Sequence, residues 1–479
     1  MANFWDSSVW GAFSIIAVIL IIFLFANILK KSIRFLQKSL IPTSVLAGII
    51  LLVVAGIYNA ISGKLLFDSG FFGGKGYDFL EIIAYHMLAL GFIATSLQSN
   101  KEKFTKKRSI EVFDSGLTTV STYLLQAIIG IGITLVLALI VTDSVPGYAG
   151  VLLPFGFGQG TGQALNYGNI YETDFGFIGG KSFGLTIAAL GFLSASIGGV
   201  IHLAILRRRN PELTQIIQKR KTAQSITIAG DEAKDGSLGK LTVQIILCAL
   251  AYIITYAVMI GLGALIPGFK AVIYGFNFLF GVIAAILVKS VINFFKKKKV
   301  IKSEVTNNYL LSNISNFCFD LMIVAGIGAI RLDIMGKYWW VLLILGVVGA
   351  FATYFYNRLV AKKLFPEYTE EQFLAMYGML TGTASTGIVL LREIDPDFST
   401  GASNNLVYQT LPAIVFGFPI MLLATFAPKE PIWTLVIMCG LMIVMNLLLF
   451  RSKIFRRRKV AFSDITSTEG QAENTQDKE

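Results

Sequence analysis

Two short runs hold the side chains and bare backbone best suited to binding a polar ligand: GQGTGQ at 158–163 and TGTAST at 381–386. Both offer hydroxyls or amides, together with glycines that leave peptide N–H and C=O groups unshielded. Peptide N–H groups and hydroxyls receive a carboxylate, while carbonyl and hydroxyl oxygens replace the water around a small cation. The candidate substrate-binding residues are therefore Gly158, Gln159, Gly160, Thr161, Gly162, Gln163, Thr381, Gly382, Thr383, Ser385 and Thr386. Asp320 is the most deeply placed acid, inside NISNFCFDLMIVAGIGA, with Asn316 one helical turn before it. A charge in such surroundings is costly unless paired or hydrated, so Asp320 and Asn316 are assigned to a cation path. Chemistry of other kinds is missing. No His-Glu-x-x-His occurs, and GGKSFG at 179–184 has Phe175 where a phosphate-binding loop needs its first glycine. The expectation is a protein that is not an enzyme and carries no cofactor or metal beyond a coupling ion.

The elements that must position these runs are membrane spans. The chain is 54% hydrophobic and 15% charged, with a mean hydropathy of +0.68. Apolar runs long enough to cross a ~30 Å hydrocarbon core predict eleven spans, at 9–29, 40–61, 79–98, 116–142, 177–206, 241–266, 270–293, 310–330, 338–360, 405–427 and 431–450. The first, VWGAFSIIAVILIIFLFANIL, is too long for a signal-peptide core and has its basic cluster after it, so it reads as a retained span. Cys248, Cys318 and Cys439 fall in separate spans and read as small packing residues. The net charge of +12 does not point to nucleic acid, because the basic residues sit in short segments beside the spans. With these spans, 34 of the 41 Lys and Arg residues fall on one side and 7 on the other. That asymmetry predicts a plasma-membrane protein with its amino terminus outside and its carboxyl terminus in the cytoplasm. It also requires the glycine-rich stretches 147–170 and 372–394 to return to the side they left, as re-entrant hairpins.

The two stretches resemble each other. Phe155-Gly156-x-x-x-Gly160-Thr161 aligns with Tyr377-Gly378-x-x-x-Gly382-Thr383, and ETDFG (172–176) aligns with DPDFS (395–399) at nearly the same offset. Five spans separate equivalent points, and five is odd, so the halves have opposite orientation. The predicted fold is all-α: two inverted five-helix repeats, each with a re-entrant hairpin, plus one extra C-terminal transmembrane helix. The expected divisions are a first repeat over 1–206, a cytoplasmic linker over 207–240, a second repeat over 241–427, the extra helix over 428–455 and a polar tail over 456–479. Inverted repeats whose broken helices meet near the midplane are the architecture of secondary transporters. An ion channel is the competing reading, but filters are commonly built from loops that enter from one side.

At these residues the chain resembles the sodium/glutamate symporter family. The family's first hairpin carries Gly-His-Gly-Thr-Gly, here Gly158-Gln159-Gly160-Thr161-Gly162, and FGF (175–177) and IGG (197–199) follow as they do in the family. The resemblance implies Na⁺-driven uptake of glutamate, a homodimer in the lipid bilayer, and an elevator-like movement of a hairpin-bearing domain against a scaffold. Gln159 replaces the family's histidine, the second hairpin lacks its Gly-Ala-Thr-Pro pattern, and an extra span follows the repeats. The expected cargo is accordingly glutamate or a related organic anion, with a proton-coupled carboxylate transporter of the same fold as the alternative. Among the remaining polar residues, Glu81 is placed near the outer interface, His202 at an interface, and Lys181 and Arg392 at the hairpin mouths. Gln126 is a candidate for a hydrogen bond to another helix.

Overall fold

The computed structural model describes residues 3–98, 105–141, 145–209, 239–300, 305–396 and 398–453. Nearly all of the expected linker and the whole of the tail lie outside them. Among the described residues every regular element is helical. The first half comprises α1 (Ser7–Ser32), α2 (Arg34–Lys38), α3 (Thr43–Ser62), α4 (Gly76–Leu97), α5 (Lys106–Ile140), α6 (Leu152–Phe157), α7 (Gly160–Phe175) and α8 (Gly180–Arg209). The second comprises α9 (Lys240–Leu265), α10 (Lys270–Gly275), α11 (Asn277–Lys297), α12 (Asn308–Gly328), α13 (Leu332–Met335), α14 (Trp339–Leu364), α15 (Thr369–Leu380), α16 (Ala384–Arg392), α17 (Ala402–Tyr408), α18 (Thr410–Phe426) and α19 (Pro431–Leu449). Among the described residues ten helices are long and apolar enough to cross a membrane, or eleven if α17 and α18 form one bent span.

The side chains identify the solvent. In α1, Gly11, Ile15, Ile19 and Ala26 recur at helical spacing and are buried, while Phe13, Ile21, Leu24 and Ile28 on the remaining surface are exposed. The same division, a narrow packed stripe and a broad apolar face left open, recurs on α9, α14 and α19. Water would not tolerate so much contiguous apolar surface; lipid does.

Two differences from the expected spans have local causes. The span expected over 405–427 is bent by 50° between α17 and α18. Pro412 has no N–H to donate to the carbonyl of Tyr408 and its ring crowds that position, so the helix breaks at Gln409. The span expected over 270–293 is divided at Phe276, and Asn277 on the far side of the break donates to the carbonyl of Tyr85 at 3.0 Å.

The helices pack as two bodies. Helices α1, α3, α4, α9, α11 and α12 form one, centred on the α4–α12 contact. Helices α5 to α8 and α14 to α19 form the other, in which α5 touches α14, α18 and α19 while α8 touches α6, α7, α14 and α15. Helix α7 is the main link, meeting α4 and α12 of the first body and the short α10 that adjoins α9.

Candidate functional site

Both glycine-rich runs fall at helix breaks. The first break is Gly158-Gln159, between α6 and α7; the second is Thr381-Gly382-Thr383, between α15 and α16. Gly160 opens α7 with φ of +79°, a left-handed conformation that only glycine adopts without strain. At Gly158 the need is for space: an added Cβ would lie 2.1 Å from the Tyr123 ring. The arms of each pair lie close together. Phe155 of α6 stacks on Tyr167 of α7 with ring centroids 3.9 Å apart, and a Cβ on Gly378 of α15 would sit 2.8 Å from Gly387 Cα of α16.

The two breaks meet. A Cβ built on Gly160 would lie 3.5 Å from Thr383 Cγ2 and 3.8 Å from the Gly382 carbonyl oxygen. Residues more than two hundred positions apart thus face each other across a narrow gap, and helices α7 and α16 both begin there. The first N–H groups of a helix have no partner within it and carry its positive dipole end. The Gly382 carbonyl oxygen, in the break that follows α15, lies at the same gap.

Helices α5 and α12 hold the breaks in place. The Tyr123 hydroxyl donates to the Gly158 carbonyl at 3.1 Å, and Gln126 Nε2 donates to the Leu380 carbonyl at 2.9 Å. Thr161 donates to the Met322 carbonyl at 3.3 Å, and Thr381 donates to the Tyr377 carbonyl in the last turn of α15. Thr383 and Thr386 hydroxyls lie 3.4 Å apart. Gln163, in the first turn of α7, is 2% exposed, and neither its amide oxygen nor its nitrogen has a hydrogen-bonding partner. A buried amide in that condition calls for a polar ligand. Gln159, Thr383 and Ser385 are half-buried, while Gly158, Gly162, Gly382 and Thr386 are buried.

The proposed cation residues stand elsewhere. Asp320 is half-buried and faces Ser44 at the start of α3, without a well-formed hydrogen bond between them. Met322, two residues on, points at Gly162, so the Asp320 side chain leaves α12 on a different face from the one that meets the breaks. Asn316 is exposed.

Several polar side chains read as interfacial in the sequence have specific partners. Glu81 of α4 and Lys181 of α8 form a 2.9 Å ion pair between the two bodies. His202 is 5% exposed, with Nδ1 2.7 Å from the Tyr354 hydroxyl and Nε2 2.8 Å from Glu370. Arg358 grips the same Glu370 carboxylate with both terminal nitrogens. Burial would raise the Glu370 pKa, but the bonds from His202 and Arg358 and the Arg358 charge outweigh it and bring it down to about 2. Burial likewise opposes ionisation of Asp395, yet four hydrogen bonds from Ser399 and Thr400 hold its carboxyl below the usual range.

A comparison with curated proteins yields no match. The family model described as sodium/glutamate symporter matches residues 10–377, from α1 through the whole first broken pair and into α15. That match takes in most of the chain, including the Gly158–Gly162 run at which α7 begins, and the chain therefore belongs to the sodium/glutamate symporter family.

Proposed function

We propose that this protein carries glutamate, or a closely related organic anion, into the cell together with Na⁺, and that it does so by moving the body that holds both broken pairs against the other body. The observation that carries this reading is the meeting of the two breaks at Gly160 and Thr383. Helices α7 and α16 aim their N-terminal ends at one place, and the N–H groups there, with the hydroxyls of Thr161, Thr383, Ser385 and Thr386, suit a carboxylate. Gln159 and Gln163 add amides that tell one organic acid from another. The residue set Gly158, Gln159, Gly160, Thr161, Gly162, Gln163, Thr381, Gly382, Thr383, Ser385 and Thr386 is the proposed substrate site, with Asp320 and Asn316 on the proposed path of the cation.

Non-helical backbone at membrane depth persists only where protein buries it or a wet cavity receives it. In the inverted arrangement, α6–α7 dips in from outside and α15–α16 from the cytoplasm, so the site is reached from one side at a time. The division into two packed bodies supports a rigid-body movement, and the homodimer is assigned to the body lacking the breaks. Each positive charge entering against a potential negative inside gains ~2.3 kcal/mol per 100 mV, so more Na⁺ than substrate charge makes uptake concentrative.

The test is uptake by proteoliposomes of labelled glutamate, aspartate, dicarboxylates and hydroxy acids, each under an inward Na⁺ gradient and under a proton gradient. Accumulation that needs Na⁺ and is abolished by choline supports the proposal. Equal accumulation in choline refutes Na⁺ coupling, and single-channel currents far above transporter turnover refute alternating access.

A further inference from the structure

Behind the second break, α5 and α14 cross with a chain of uncharged polar side chains between them. Gln126 of α5 is 0% exposed; its Nε2 donates to the Leu380 carbonyl and to Thr353 Oγ1, each at 2.9 Å. Asn357 of α14 is 2% exposed; its Nδ2 donates to the Thr353 carbonyl at 2.9 Å and to Thr122 Oγ1 at 3.3 Å. Both amides are thus joined through Thr353, one by its side chain and one by its backbone. Their nitrogens are fully used, which also settles which way round each amide lies. Their oxygens are not used: Gln126 Oε1 and Asn357 Oδ1 are buried and accept from nothing in the protein. Two orphaned acceptors on crossing helices, the first of them beside the C-terminal and therefore negative end of α15, demand a ligand that supplies positive charge or protons.

We infer that this seam is a binding site for a small dehydrated monovalent cation, which the orphaned oxygens Gln126 Oε1 and Asn357 Oδ1 coordinate. The inference rests on the proposed Na⁺ coupling and assigns it a place other than Asp320. Neutral oxygens suit Na⁺, a hard cation that exchanges its water for carbonyl and hydroxyl ligands. No side chain in this chain of contacts takes up a proton near neutral pH, so the site distinguishes Na⁺ from H⁺ as the driving ion. It also couples the cation to the substrate site, because Gln126 holds the last carbonyl of α15 and through it the position of Thr381 to Thr383.

The test is the Na⁺ dependence of thermal stabilisation of the purified full-length protein, titrated with NaCl against choline chloride without substrate. Asn357→Leu and Gln126→Leu remove an oxygen, and each is expected to raise the half-saturating Na⁺ concentration by about tenfold or more. Asn357→Ala removes the same oxygen without adding bulk, so it is expected to raise the value as well. Stabilisation by NaCl that is identical to wild type in the folded variants overturns the inference and makes the seam a site for ordered water. Should a leucine variant fail to fold, Asn357→Ala decides: weaker Na⁺ binding supports the site and an unchanged value overturns it. A wild-type protein that NaCl does not stabilise, and that takes up substrate equally in choline, instead removes the proposed Na⁺ coupling itself.

Discussion

Substitution at Gly160 separates the cost of its backbone from the use of the space beside it. Its φ of +79° is left-handed, and an L-residue forced to keep that conformation loses about 1–2 kcal/mol. Alanine meets no steric clash: its Cβ would lie 3.5 Å from Thr383 Cγ2 and 3.8 Å from the Gly382 oxygen, both ordinary contacts. Gly160→Ala is therefore expected to insert and fold, with stability lower by about that strain, while one methyl group occupies the gap between the two breaks. Gly160→Leu adds three more carbons in the same direction, and they fit only by displacing Thr383. If substrate binds between the breaks, uptake should fall about tenfold for alanine and about 100-fold or more for leucine, the size of effect that misplacing a binding group by an ångström produces. Gly132 of α5 is the control, since a Cβ there meets nothing within 4 Å and Gly132→Leu should leave uptake intact. The assay is Na⁺-driven glutamate uptake in proteoliposomes, normalised to monodisperse protein recovered from the same membranes. Wild-type uptake by folded Gly160→Leu would show that the gap is not where cargo binds.

Other perturbations test the surroundings. Asp320→Asn should reduce Na⁺-dependent uptake if the carboxylate lies on the cation path; unchanged uptake removes it from that role. Glu370 and Asp395 both ionise more readily in the folded protein than free carboxyls do, so their stabilising contribution is complete above the ordinary carboxylate range and is lost as pH falls from there through their lowered values. Thermal stability should therefore be insensitive to these two groups between about pH 5 and 8 and decline below about pH 4, with Glu370→Gln flattening the decline. Glu81 and Lys181 join the two bodies, so cysteines at both positions, in a background without Cys248, Cys318 and Cys439, should stop transport when bridged by a short bis-thiol reagent and regain it on reduction. Transport that continues while they are bridged would mean that the bodies do not slide past each other there.

The spans were legible because their signal is long and additive: twenty apolar residues in succession have few alternatives. Breaks at 158–159 and 381–383 were legible for the opposite reason, since Gly158, Gly160 and Gly382 are poor helix formers set among residues that have no place in water. The bend at Gln409 was hidden because Pro412 also occurs in a run of continuous hydropathy, and a hydropathy average takes no account of a missing N–H donor. The contacts of Tyr123 and Gln126 were hidden more deeply. A tyrosine or glutamine within a span declares a need for a partner but not its address, and the address of Gln126 is a carbonyl 254 residues away. His202 reads as interfacial beside Arg207, Arg208 and Arg209, yet Glu370 arrives from α15 and Tyr354 from α14 to bury it.

The sequence correspondence between 172–176 and 395–399 acquires a physical meaning at Glu172 and Asp395. Each acid lies near the end of the second helix of a broken pair, where the chain must turn toward the next span. Glu172 accepts from the Lys181 backbone N–H at 3.1 Å, and Asp395 accepts from those of Ser399 and Thr400 at 2.9 Å each. Both carboxylates thus satisfy donors in the chain leading into the next long element, α8 in one half and the α17–α18 pair in the other. Anchoring these outer ends leaves the inner ends, at Gly160 and Ala384, as the places where helix N–H groups lack protein partners. A chain that spends its carboxylates at the far ends of α7 and α16 keeps negatively charged side chains away from their N-termini, where the proposed organic anion would bind.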